Sequence, residues 1–149
     1  MKKIIFCVAI ISIATGAFAQ ALSPKEFLGY ELGEKFTRHH QVVSYFQHIA
    51  GESPNVKLHQ YGTTNEDRPL LMALISSPEN LANLEMIRTD NLKRAGVLPG
   101  SPSTDIAVVW LSYNVHGNES NSTEASMATT YKLLSEHQDF LENTLVVID

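Results

Sequence analysis

At 149 residues, with 44% hydrophobic and 18% charged residues, the chain has room for one globular domain and is neither disordered nor fibrous in composition. Its formal net charge is −5, and no Lys/Arg cluster is longer than a pair. That excludes the broad basic surface that nucleic acid or an anionic membrane would need.

The N-terminus has the order of parts found in an export signal. Lys2-Lys3 precede an apolar run at residues 4–14, too short to cross a bilayer, and Ala17-Phe18-Ala19 supplies small residues at a cleavage spacing. Residues 1–19 are therefore expected to be a signal peptide, with Gln20 as the mature N-terminus and an exported, periplasmic or secreted, product. Its removal takes Lys2 and Lys3, so nine cations face 16 acids and the net charge becomes −7. Cys7, the only cysteine, leaves with it, so a packed core and not a disulfide must supply stability. No later apolar stretch is long enough to span a membrane.

Along the remainder, Ser23-Pro24-Lys25-Glu26 carries a Ser cap, Pro at the first helical position and Glu three residues after the cap. Gly29 and Gly33 keep that helix short. Residues 37–50 are predicted helical, with Val42, Val43, Phe46, Ile49 and Ala50 on one face and Gly51 at the end. Residues 56–61 and 70–75 form a hairpin-like pair, and Ser77-Pro78-Glu79 opens a third helical stretch with Leu81, Leu84 and Ile87 on one side. Residues 96–104, holding Pro99, Gly100 and Pro102, are a loop.

The short β-branched run at 106–111 is expected to be a buried strand, 121–136 a helix capped by Asn121, and 145–148 a second buried strand. Strand, helix, strand is a βαβ unit, so the two strands should be parallel neighbours. In such sheets functional groups gather beyond the carboxyl ends of the strands. There the sequence places Ser112-Tyr113-Asn114-Val115-His116-Gly117-Asn118-Glu119.

His116 and Glu119 supply an imidazole nitrogen and a carboxylate oxygen three residues apart. That pair suits Zn²⁺, which takes such ligands at about 2.0–2.2 Å. A short motif of this kind also arises by chance, and a loop histidine hydrogen-bonded to a neighbouring acid is the other reading of the same residues. The remaining histidines do not form pairs. His39, His40 and His48 lack the i, i+4 spacing that puts two imidazoles on one helix face, and His59 and His137 are isolated. Glu124 is expected to cap the helix as the third residue after Asn121, and Arg68 to make an ion pair within the hairpin. Asn118-Glu119-Ser120 and Asn121-Ser122-Thr123 match the glycosylation pattern, which is too common to carry weight.

The stretch Leu111-Ser112-Tyr113-Asn114-Val115-His116-Gly117-Asn118-Glu119 resembles the first zinc motif of the metallocarboxypeptidases, relatives of carboxypeptidase A and carboxypeptidase N/E. Its His-Gly-Asn-Glu form is closer to the N/E branch. Upstream, Tyr61-Gly62-Thr63-Thr64-Asn65-Glu66-Asp67-Arg68-Pro69-Leu70 resembles that family's Gly-x-Ser-x-Glu-Gly-Arg-Pro hairpin, with Thr64 in place of Ser and Asp67 in place of Gly.

The resemblance implies an α/β fold of three α/β/α layers around a mixed sheet, with residues 20–149 forming the N-terminal part of the domain. It implies one Zn²⁺ held by His116 and Glu119, and a peptide or protein C-terminus as substrate. The third ligand (a His), an Arg that grips the substrate carboxylate, a tyrosine and a general-base glutamate are all expected beyond Asp149. The chain alone is therefore expected to be inactive, with no catalytic residue of its own, and to be a truncated product. Two alternatives stand beside this reading. An aspartoacylase or succinylglutamate desuccinylase type deacylase shares the His-Gly-Asn-Glu motif, but carries it close to the N-terminus and is cytoplasmic. An exported binding module without the metal would keep only the fold.

Overall fold

The computed structural model describes residues 21–149; the signal-like segment and Cys7 lie outside them. Helix α1 (Pro24–Leu28) starts in the expected capping box. The Ser23 backbone N–H donates to Glu26 Oε2 at 2.9 Å, and the Glu26 N–H donates to Ser23 Oγ at 3.3 Å. Gly29 ends the helix at φ +76°, a left-handed conformation that glycine adopts without a Cβ clash. Helix α2 (His39–Glu52) buries Tyr45, Phe46 and Ile49. The hairpin follows as β1 (Val56–Thr63) and β2 (Pro69–Ile75), antiparallel, with a register shift at Tyr61.

The third helical stretch is two helices, α3 (Pro78–Ala82) and α4 (Leu84–Arg94), broken at Asn83. Then come β3 (Ala107–Leu111), α5 (Asn121–Glu136), α6 (Gln138–Leu141) and β4 (Thr144–Ile148). The four strands form one mixed sheet in the order β1-β2-β4-β3. β3 and β4 are parallel, as a βαβ unit requires, and β4 is antiparallel to β2.

Alternation along the inner strands sorts their side chains into two cores. Ala73 and Ile75 of β2 and Val146 and Ile148 of β4 pack with Tyr45, Phe46 and Ile49 of α2 and Met127 of α5. Their neighbours Leu145 and Val147 face the other way, onto Leu81 and Ile87, with Met72 and Leu74 alongside. Helices thus cover both faces, which is the expected three-layer α/β arrangement. Every residue of β4 is buried, since it has a strand on either side and a layer on either face.

β3 departs from expectation. Among the described residues it pairs only with β4, and its apolar run is half exposed there instead of buried. Trp110 is 63% exposed and Val109 36%. A run of β-branched residues marks a strand, but nothing in it distinguishes a central position from an edge.

The approach to β3 is fixed by Asp90 of α4, whose side chain is almost wholly buried. It accepts from the Ser103 N–H at 2.8 Å, the Ser103 hydroxyl at 2.7 Å and the Thr104 N–H at 2.9 Å, and Lys93 Nζ lies 3.1 Å away. The Ser103 hydroxyl above all, then its backbone N–H and Lys93, hold the carboxyl well below the usual carboxylate range. A depressed folded pKa stabilises above the unfolded value of about 3.9 and is lost as pH falls from there toward the folded value. Asp90→Asn should therefore be less stable than the native chain at about pH 7, with the gap closing below about pH 4. Urea unfolding at the two pH values measures this, and a gap that stays constant would rule the linkage out.

Candidate metal centre

The sheet ladder runs on past β3. The Tyr113 N–H donates to the Asp149 carbonyl at 2.8 Å, and the Asp149 N–H to the Leu111 carbonyl at 3.1 Å. The Tyr113 hydroxyl reaches Thr129 Oγ1 of α5 at 2.8 Å, so this end of the strand is tied to the helix that follows. Asn114 then takes φ +59° and the chain leaves the sheet. The Glu119 N–H donates to the His116 carbonyl at 2.9 Å and the Ser122 N–H to the Glu119 carbonyl at 3.1 Å, a tight turn that runs into α5.

That turn brings the two predicted ligands together. His116 Nδ1 lies 3.1 Å from Glu119 Oε1, with side chains 72% and 52% exposed. As an exposed ion pair this contact is worth little, about 0–1 kcal/mol. As a donor pair it is well placed: ligands at about 2.0–2.2 Å in a tetrahedron stand roughly 3.3–3.6 Å apart, so small rotations would seat both on one Zn²⁺. Among the described residues no group of three His, Cys, Asp or Glu side chains could share an ion. His39, His40 and His59 are exposed and stand outside the pair.

Glu124 is not a capping residue. Helix α5 is capped at Ser120 with no side-chain bond, and Glu124 reaches across to the segment before α2. It accepts from the Thr37 hydroxyl at 2.6 Å and from the Gly33 N–H, and the buried Thr37 hydroxyl is itself 2.8 Å from the Tyr30 hydroxyl. This clasp fixes the first turns of α5 directly behind the Glu119 turn. Unlike the exposed His39 and His40, His48 is half-buried, stacked on Phe27 with ring centroids 5.2 Å apart, and its Nε2 accepts from the Leu22 N–H at 3.3 Å. Its role is packing, not ligation.

The hairpin tip explains its own sequence. Asp67 sits at φ +57°, where glycine is the unstrained choice and Asp or Asn are the tolerated substitutes. The Thr64 hydroxyl accepts from the Glu66 and Arg68 N–H groups, each at 3.2 Å, a task that any hydroxyl residue performs. Arg68 pairs with Glu66 at 2.6 Å on the surface, as expected of a hairpin.

A groove of about 1000 Å³ runs between the tip, the start of α2 and the site loop, with Phe46 and Leu71 on its walls and Asn114 and Gly117 at one side. At the register shift Tyr61 swings toward it and donates to Asp149 Oδ1 at 2.6 Å, which raises the phenol pKa.

The sequence profile of the zinc carboxypeptidase family, Peptidase_M14, matches residues 42–148. The chain belongs to the zinc carboxypeptidase family. The match takes in the hairpin, the His116–Glu119 turn and both parallel strands. No curated protein matches the sequence.

Carboxypeptidase A from Helicoverpa armigera shares the fold, with a TM-score of 0.54 and 23% sequence identity over 76% of this chain. The chain spans 24% of the length of that protein. Within the family's fold, then, the described residues bring His116 and Glu119 together on one turn, with a clasp behind it. The clasp and the left-handed residues escaped the sequence reading. For Asp67 a signal was present, because it stands where the family's hairpin has Gly.

Proposed function

We propose that His116 and Glu119 are two of the protein ligands of a catalytic Zn²⁺, in a carboxypeptidase that releases single residues from peptide C-termini. The observation that carries this reading is the 3.1 Å approach of Nδ1 and Oε1 at the carboxyl end of a parallel strand, in a chain of this family. What a bound Zn²⁺ supplies there is Lewis acidity toward a peptide carbonyl. The chain's own residues hold and orient. A ring nitrogen of His116 and a carboxylate oxygen of Glu119 are the atoms that would bind it, and Gly117 leaves open space where a side chain would stand. The groove beside Asn114 and Gly117 gives an extended peptide a way in. The third protein ligand that a catalytic zinc takes is to come from outside residues 21–149.

The family match supports this over a deacylase of small N-acyl amino acids, and export to the periplasm or exterior belongs to the same reading. Among the described residues no helix is long and apolar enough to cross a membrane. The test uses protein purified from its native source, incubated with a peptide and with its C-terminally amidated twin, each with and without a zinc chelator. Free amino acid should appear only from the unblocked peptide and only without chelator. Cleavage of the amidated twin, or indifference to chelator, would sink the exopeptidase assignment.

A further inference from the structure

The segment that carries His116 leaves the sheet through a backbone conformation that most side chains oppose. Among the described residues only Asp67 and Asn114 are non-glycine residues at positive φ, and both border the groove beside the site. Left-handed backbone in an L-residue brings Cβ close to the following carbonyl; glycine escapes this, Asn and Asp tolerate it, and a β-branched residue there is an outlier.

At Asn114 the conformation has a visible consequence. Up to Tyr113 the chain is still paired to Asp149 as part of the sheet, and two residues after Asn114 stands His116. An extended residue at 114 would carry His116 onward along the strand direction, past the end of β4 and away from α5. The left-handed turn instead folds the chain back, so that the His116 carbonyl accepts from Glu119 and its ring meets the Glu119 carboxylate. The Asn114 side chain itself is exposed.

We propose that Asn114 is a positioning residue: its left-handed backbone aims the His116 imidazole at Glu119, and the site accepts only asparagine, aspartate or glycine there. The proposal rests on the zinc-ligand reading of His116 and Glu119. It goes beyond that reading by naming what assembles the donors before any ion arrives.

The test compares the 149-residue chain with Asn114→Gly and Asn114→Val by NMR. Two signals are read: the backbone ¹³C shifts at 114 with the amide shifts of residues 115–119, without metal, and the movement of the His116 ring resonances as Zn²⁺ is added. Glycine should keep the native loop shifts and bind within about 2-fold of the native chain, while valine should lose the left-handed shifts and about 10-fold or more in affinity. Resonances of β4 and α5 should stay in place in both variants, which separates a misplaced loop from a misfolded chain. Native loop shifts or native affinity in Asn114→Val would overturn the proposal. So would a glycine variant that fails like valine, since the amide side chain would then be the working part. If the native chain shows no Zn²⁺ response at His116, the ligand reading itself fails, and the metal-free shifts still decide whether residue 114 sets the loop.

Discussion

Zn²⁺ added to the 149-residue chain is expected to be held at one site and weakly, and in His116→Ala not to be held at all. A catalytic zinc takes three protein ligands and an open position, and residues 21–149 offer two converging donors. Losing a hydrogen-bonding partner behind a ligand already costs about 10–100-fold in affinity, so a missing ligand should cost more than about 100-fold. His116→Ala leaves one exposed carboxylate, which does not distinguish this site from any other on an acidic surface. Calorimetric titration of both proteins checks the stoichiometry, and NMR of the imidazoles checks which histidine responds. Tight binding in the native chain would mean that a third donor has been misplaced. Binding that survives in His116→Ala would remove His116 from the site.

The second large effect belongs to the core. Ile75 is fully buried in β2, paired with Val56 on one side and Val146 on the other, in the cluster that also holds Tyr45 and Met127. Ile75→Ala removes packing from the strand that joins the hairpin to the parallel pair, and the surrounding layers can close the cavity only in part. A cost of about 3 kcal/mol is expected, a large share of the 5–15 kcal/mol typical of a whole domain. Trp110→Ala removes a bigger side chain from the exposed edge and should cost no more than about 0.5 kcal/mol in the same chain. Urea unfolding followed by circular dichroism measures both. If the tryptophan change is the costlier, the assignment of core and edge is wrong.

The difference between those two residues shows how far the sequence could be followed. The capping box at Ser23 and Glu26, the helix at Asn121–Glu136 and the parallel pairing of β3 with β4 were all legible, because each rests on residues a few positions apart or on one repeating period. The His116–Glu119 pair was legible for the same reason: three residues in a turn suffice to bring the side chains within reach. Helix α4 was merged with α3, because the apolar spacing runs through Asn83 while the backbone does not.

By itself, the sequence determined the α/β class, the strand–helix–strand unit and the His116–Glu119 turn at the strand's carboxyl end. Only the tertiary structure decided the order β1-β2-β4-β3 among the described strands, since sheet order depends on which strands meet after long connections, and each strand carries the same apolar signal wherever it lies. It alone also decided the partners of Glu124, Tyr61 and His48. Their hydrogen bonds span 87, 88 and 26 residues, to groups that no local spacing in the sequence points to. Local contacts are written in spacing. These distant ones exist because burying the two faces of β4 presses α2, α5 and the hairpin together, and polar side chains at the rim pair with whatever that packing brings within reach.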